Sequence, residues 1–317
     1  MTTAELVFLY AAEELNIGRA ADRAYVSQQC ASTHIKNLET RYGITLFNRK
    51  PGLSLTPAGR CLQTSLLQIR QIEQNAEAGI EEISKGNVGK LTVALNPTRC
   101  RILIPPILER FSKEFPRVEV SIHLGDTLNN LELLRQGKTD IVIGIGTSAV
   151  DAARFSVNHL MKDPVYFLVS RDMIGRYCPD FKERTDDKGM VSLRELKAFP
   201  FCRNYEGSTL TNLIDTYLYQ EKIALNTRYY ISDYDTQLEM CMNGIAAMFC
   251  PAMMLDRIPE GHDLLVYPVK EIREGLSIDL IRNSYAYTPR YVKAFISLLK
   301  ETIEQVQKDV SGYDMDK

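Results

Sequence analysis

The sequence predicts an α/β protein with an α-rich N-terminal part, and three observations carry that reading. A polar-faced helix pair followed by a hairpin occupies residues 16–59. An apolar-striped run with no further proline follows Pro57 as far as Lys85, and strands and helices alternate from Leu91 onward. The 317 residues are enough for two or three domains with cores of their own. The predicted units are 1–59, 60–88 and 89–317, the last divided into lobe I (89–163 and 268–317) and lobe II (164–267).

Ala20 and Ala21 are small enough for two helices to cross closely. Ser27 suits an N-cap, because its hydroxyl can accept from a free amide of the next helical turn. Ala31, Ile35 and Leu38 then repeat at helical spacing and would face a core. The opposite side presents Gln28, Gln29, Ser32, Thr33 and Lys36, a short donor-rich face suited to base edges and phosphates in a major groove. Periodicity alone would favour a surface helix of an unrelated domain.

The segment after this helix narrows the choice. Residues 46–49, Lys50-Pro51-Gly52 and 53–56 read as strand, tight turn and strand, with Pro and Gly supplying the turn. Arg49 and Lys50 would bring positive charge beside a duplex backbone. Thr56-Pro57 reads as a helix start, with Thr as N-cap and Pro at the first helical position. Between Asn16 and Arg60 the basic residues Arg19, Arg23, Lys36, Arg41, Arg49, Lys50 and Arg60 meet only Asp22 and Glu39, inside a chain of net charge −2. Together these features predict a winged helix-turn-helix bound to double-stranded DNA.

The run Ala20-Ala21, Val26-Ser27-Gln28, Ser32, Ile35, Leu38-Glu39, Gly43, Leu46-Phe47-Asn48-Arg49 and Leu55-Thr56-Pro57-Ala58-Gly59 resembles the N-terminal motif of the LysR-type transcriptional regulators. The resemblance implies base-side contacts from Gln28, Gln29, Ser32 and Thr33, and phosphate contacts from Lys36, Arg49 and Lys50. Three positions depart from the family pattern: Gln29 stands where Pro is common, Ala24 where Leu is, and Thr33 where Arg or Lys often stands. The last removes a bidentate arginine contact to guanine, so the operator cannot be carried over from relatives.

Leu62, Leu66, Ile69, Ala76, Ile80 and Ile83 recur about every 3.5 residues, with Ile72 slightly off the seam and Glu73 breaking it. This spacing predicts one long helix with an apolar stripe. It is a dimer seam or a helix packed on its own chain; a helix joining two domains has little of its own chain to lie against, which favours self-association. The resemblance implies a linker helix that pairs two subunits, as homodimer or, by preference, homotetramer. Gly86-Asn87-Val88-Gly89 then reads as a flexible break.

Beyond it, strands are predicted at 91–95, 118–122 and 140–145, with helices at 100–114, around Pro105-Pro106, and at 128–136, stopped by Gly137. That order implies right-handed crossovers and a mostly parallel sheet. A second unit starts near Pro164 with strand 165–170 and a helical capping box at Ser192-Leu193-Arg194-Glu195. Strand 199–203, helix 209–220, strand 228–232, helix 235–243 and strand 245–249 come next, and the chain returns after Tyr267-Pro268 through strand 276–281 and helix 291–307. Two lobes joined by two crossings make a hinged clam, with ligand at the carboxyl ends of the strands. Leu103-Ile104-Pro105, Phe111, Phe115-Pro116-Arg117-Val118, Leu131, Leu134, Gly137, Asp140-Ile141 and Asn243-Gly244-Ile245-Ala246 also resemble the LysR effector-binding domain, whose fold is similar to periplasmic binding proteins.

Two strand-to-helix junctions would face each other across the clam, Asn96-Pro97-Thr98-Arg99-Cys100 and Arg203-Asn204-Tyr205-Glu206-Gly207-Ser208-Thr209, each offering free amides and a helix dipole. Counted back from Pro105, Thr98 falls where the resemblance implies a ligand-contacting Ser or Thr. Asn96, Arg99, Arg203, Asn204, Ser208, Thr209, Thr127 and Asp233 complete the candidate effector set. Thr98, Ser208 and Thr209 would serve as well as plain helix caps. Arg99 and Arg203 point to a carboxylate- or phosphate-bearing metabolite, or else are solvated rim charges.

Seven cysteines, an odd number without metal-ligand spacing, and four scattered histidines predict no metal and no cofactor. Cys100 and Cys202 on facing loops raise a redox-responsive regulator as an alternative. A solute-binding protein is a second alternative, disfavoured because no export signal is present and the DNA-binding half is intact. An enzyme is a third, but no GxSxG, P-loop or paired catalytic carboxylates occur, and Gly144-Ile145-Gly146 is too weak to claim a nucleotide. No apolar run suits a bilayer, so cytoplasmic residence without a membrane partner is expected. The leading expectation is a regulator that binds an interrupted inverted repeat and answers to a small-molecule effector, with RNA polymerase a further candidate partner.

Overall fold

The computed structural model describes residues 1–85, 88–145, 150–151, 154–181, 185, 189–206, 208–272 and 275–311. Gly86, Asn87, Gly146 and Gly207, and the side chain of Ile83, lie outside the described residues. Three helices open the chain: α1 (Thr3–Glu14), α2 (Ile17–Arg23) and α3 (Gln28–Tyr42). Each begins where a side chain can satisfy a free amide. Thr2 and Glu5 form a reciprocal capping box, Asn16 caps α2, and the Ser27 hydroxyl accepts from the Cys30 amide at 3.2 Å. Gly43 ends α3 in the left-handed region, at φ +66°. Phe8, Leu9, Ala20, Ala21, Ala31, Ile35 and Leu38 form the core beneath, and strands β1 (Phe47–Asn48) and β2 (Ser54–Leu55) make the antiparallel wing.

Helix α4 (Pro57–Lys85) has 29 residues and spans about 43 Å at about 1.5 Å per residue. Its predicted stripe divides in two. Leu66 is buried and Leu62 half-buried against the N-terminal core, whereas Ile69, Ile72 and Ile80 are 44%, 58% and 66% exposed. The apolar surface left over therefore runs through Ile72, which the sequence spacing sets beside the seam.

Lobe I holds β3 (Gly89–Leu95), α5 (Pro97–Glu114), β4 (Val118–Leu124), α6 (Thr127–Arg135), β5 (Ile141–Ile145) and β6 (Phe155–Asp163). After one crossing come β7 (Val165–Ser170), α7 (Arg171–Tyr177), β8 (Pro200–Arg203), α8 (Thr209–Gln220), β9 (Asn226–Tyr230), α9 (Tyr234–Met242), β10 (Met248–Pro251) and β11 (Leu264–Pro268). The return adds β12 (Leu276–Asn283) and α10 (Arg290–Ser311) to lobe I, whose sheet has the order β4-β3-β5-β12-β6. One face packs Leu91, Val93 and Leu95 against Leu103, Ile107 and Phe111 of α5 and Phe295 and Leu299 of α10. The other packs Ala94, Val142 and Ile281 against Leu134 of α6.

The sheets are less parallel than the element order predicts. Strands β4, β3 and β5 pair in parallel, but β12 runs antiparallel to both β5 and β6. In lobe II, β7 runs antiparallel to β10 and β11, while β8 and β9 are parallel. The two reversed strands are those with which the chain enters a lobe after a crossing. Each starts at the end of the sheet facing the other lobe, where its neighbours finish.

Three elements carried no usable sequence signal. Strand β6 lies at a sheet edge with a mostly exposed central stretch, β11 is half-buried throughout, and α7 is short. The segment after Ser192 is a 3-10 turn, Leu193–Ala198, rather than a boxed α-helix. Ser192 accepts from the Arg194 amide and donates to Glu271 at 2.6 Å. Two predicted strands shift, 228–232 to β9 and 245–249 to β10.

Candidate functional site

The exposed face of α3 carries Gln28, Gln29, Thr33 and Lys36, with Ser32 half-buried beside them. The Thr33 hydroxyl donates back to the Gln29 carbonyl at 2.9 Å, so its outward offer is a methyl and a spare lone pair. Glu39, on the same helix, accepts from the Leu46 and Phe47 amides at 2.9 and 3.3 Å and pairs with Arg49 at 3.4 Å. The wing is thereby pinned to α3, and Arg49 remains 58% exposed at its edge with Lys50 beyond it.

The local positive charge is smaller than the sequence count. Glu13 and Glu14 of α1 pair with Arg23 at 2.9 and 2.8 Å, Glu14 reaches Arg19 at 3.4 Å, and Glu5 lies 4.0 Å from Arg41. The carboxylates that neutralise these arginines precede the stretch in which the basic residues cluster. Tyr25 is a residue that sequence reasoning missed. It is 96% exposed, at φ +53°, in the turn that leads into α3. An L-residue held in the left-handed region with its ring in solvent is an unusual pairing, and its position beside the helix start is the signal.

Between the lobes lies a cleft of about 620 Å³. Asn96, Thr98 and Thr127 of lobe I and Asn204, Ser208, Thr209 and Asp233 of lobe II line it. Asn96 is the cap of α5, accepting from the Arg99 amide at 2.8 Å, so Thr98 is not a cap and faces the cavity. Ser208 starts α8 without a side-chain cap bond, its hydroxyl being engaged with Tyr234. Thr127 Oγ1 accepts from the Ile145 amide at 3.1 Å, an approach that Gly144 permits, since a Cβ there would stand 2.9 Å from the Thr127 methyl.

Neither candidate arginine lines the cleft. Arg203 turns away and forms an ion pair with Asp215. Arg99 is 4% exposed and points behind the cleft wall, toward Asp163, because α5 puts it on the core side one residue after Thr98. There the Arg99 and Asp163 side chains border a chamber of about 20 Å³ that shares Asn96, Thr98, Ile145 and Tyr234 with the cleft. Burial lifts the Asp163 carboxyl to about 6, against the pull of Arg99 and of the Met253 and Ala252 amides. Among the described residues the charged side chains of the cleft wall are instead the acids Asp126, Glu206 and Asp233. Arg101 of α5 spans the lobes at its edge, pairing with Asp235 and lying 3.8 Å from Asp233.

The cysteines do not meet across this space. Cys100 packs toward the lobe I core and Cys202 is buried in lobe II. Burial pushes the Cys202 thiol up to about 11 and Cys241 up to about 12, so both stay protonated and poorly nucleophilic at neutral pH. Among the described residues no cluster of metal-ligating side chains occurs, and no helix is long and apolar enough to cross a membrane.

A family model described as the bacterial regulatory helix-turn-helix protein, lysR family, matches residues 6–60, and the LysR substrate binding domain matches residues 84–304. The chain belongs to the LysR family. It is a DNA-binding transcriptional regulator with an effector-binding domain, not an enzyme. YcgK of Bacillus subtilis, an HTH-type transcriptional regulator described as uncharacterized, is 24% identical over 311 residues, covering 94% of each chain. The crystal structure of ArgP from Mycobacterium tuberculosis shares the fold with a TM-score of 0.69 at 14% identity, covering 95% of this chain and 97% of that one. Full-length CbnR in complex with its target DNA aligns with a TM-score of 0.52 at 20% identity, over 96% of this LysR-family chain and 100% of the other.

Proposed function

We propose that Gln28, Gln29, Ser32 and Thr33 read base edges in the major groove while Lys36, Arg49 and Lys50 hold the phosphate backbone. Support comes above all from one observation: the solvent face of α3 is polar and runs directly into a wing tied to it by Glu39. Tyr25 adds a backbone or sugar contact at the start of α3. Paired subunits would place two such helices on an interrupted inverted repeat, with pairing through the exposed Ile69, Ile72 and Ile80 of α4. A homodimer or homotetramer in the cytoplasm, contacting RNA polymerase at the promoter, completes the reading.

The effector binds between the lobes at Asn96, Thr98, Thr127, Asn204, Ser208, Thr209 and Asp233, and acts by population shift: it favours one lobe arrangement, and α4 passes that to the spacing of the DNA-binding units. Selection of bound genomic fragments followed by footprinting across a salt series tests the DNA part. Affinity should fall steeply with salt. Gln28→Ala should relax sequence preference at one position in each half-site, while Lys36→Ala should weaken all sequences alike. Uniform binding to every fragment, unchanged by Gln28→Ala, would remove the assignment of α3.

A further inference from the structure

We propose that the effector is a small organic cation with an apolar body and a hydroxyl or amide at its far end, an inference that rests on the inter-lobe cleft being the effector site. The first argument is charge. Among the described residues Asp126 on lobe I and Glu206 and Asp233 on lobe II are the charged groups of the cleft wall, and no Lys or Arg lines it. Of the nearby guanidiniums, Arg203 pairs with Asp215 and Arg99 lies behind the wall beside Asp163. Arg101 pairs with Asp235 and lies 3.8 Å from the wall acid Asp233, so the charge of the wall rests on Asp126 and Glu206. Closing the lobes on an anion would gather like charges from both sides, whereas a cation draws the two walls together.

Two of the three acids are also held in place. Asp126 accepts from the Asn129 amide and side-chain nitrogen, both at 2.8 Å, and Asp233 accepts from the Thr236 amide and hydroxyl at 2.9 and 2.7 Å. Fixed carboxylates cost little ordering when a cation arrives. The same wall leaves apolar surface uncovered at Leu124, Leu128 and Tyr205, which are 57%, 76% and 58% exposed. A Tyr face beside an acidic wall suits an alkylammonium.

The second argument is the chamber behind Thr98. Arg99 and Asp163, 4% and 1% exposed, border it, and Arg99 Nε and Asp163 Oδ2 are buried without a hydrogen-bond partner. A buried donor and a buried acceptor on two residues of one chamber ask for a group that can accept from one and donate to the other. A hydroxyl or primary amide can do both, a carboxylate cannot donate, and an ammonium cannot accept. The chamber's size suits one such polar group.

Calorimetric titration of the full-length protein with δ-aminovaleramide and with glutaramate separates the charges, since both carry an amide on a similar chain but end in an ammonium or a carboxylate. The amine should bind at least about tenfold more tightly, and Asp126→Asn or Glu206→Gln should each erase most of that preference. Amylamine, which lacks the amide, should bind more weakly than δ-aminovaleramide, and Asp163→Asn should narrow that gap. The inference is overturned if glutaramate binds as tightly as the amine, or if both wall variants leave amine binding unchanged. Glutaramate binding that Thr98→Val abolishes would sink the charge argument and leave the cleft standing. No Thr98-dependent binding by a mixed panel of amines and carboxylates would sink both.

Discussion

Glu39 shows how much one side chain can organise. One oxygen accepts two wing amides and the other pairs with Arg49, while the side chain itself is only 14% exposed. Glu39→Ala should cost about 1–3 kcal/mol in urea unfolding of the DNA-binding unit, because two amides lose their acceptor. Gly59 is constrained differently: a Cβ there would stand 2.1 Å from the Leu46 carbonyl oxygen, so Gly59→Ala must push the wing off α4. A loss of about 1–3 kcal/mol is expected, with DNA affinity falling in parallel. Asp163 sets a pH signature. Its carboxyl is raised from 3.8 to about 6 in the folded chain, chiefly by burial, so the folded state holds that proton more tightly than the unfolded one. Its contribution to stability is therefore fully present below about pH 3.8 and declines as pH rises to about 6, by about 3 kcal/mol at most. Denaturant titrations from pH 4 to 6.5 should show that decline in the wild type and lack it in Asp163→Asn. An equal slope in both would refute the assignment.

At the scale of elements, α4 is the informative case. Its N-terminal part buries Leu66 and Leu67 in the N-terminal core, and only beyond them does apolar surface remain for a partner. Ile72→Glu should thus weaken self-association by at least about tenfold in sedimentation while leaving the DNA-binding unit folded. Leu66→Ala should do the reverse, costing about 2–5 kcal/mol of stability. Periodicity could not separate these roles, because both halves of the stripe have helical spacing and differ only in what lies against them.

Across the whole molecule, Arg70 of α4 touches both ends. It lies 3.9 Å from Glu13 of α1 and donates to the Gln136 carbonyl, at the carboxyl end of α6. The other end of α6 is Thr127, in the cleft wall. A shift of α6 at the cleft therefore reaches the linker without passing through the sheet. Arg70→Ala should leave effector affinity within about threefold and reduce the effector-induced change of footprint. An unaltered footprint change would place the coupling elsewhere.

Sequence alone determined the order of the units, the polar-faced helix α3 and its N-cap, the wing, and most strands and helices of both lobes. Each is written in local terms, as side-chain period, cap chemistry and turn residues. That Thr98 and the facing junction around Ser208 line one cleft was legible too, since strand ends and helix starts converge in such sheets. Only the tertiary structure decided which arginines meet which acids. Arg99 and Arg203 read as anion receptors or solvated rim charges, until the fold buried the first behind the cleft wall and paired the second with Asp215. The charge of Arg19 and Arg23 read as uncompensated until α1 brought Glu13 and Glu14 against them. Charge in a folded protein is a property of pairs, and pairs formed across distant segments leave no periodic trace in the chain.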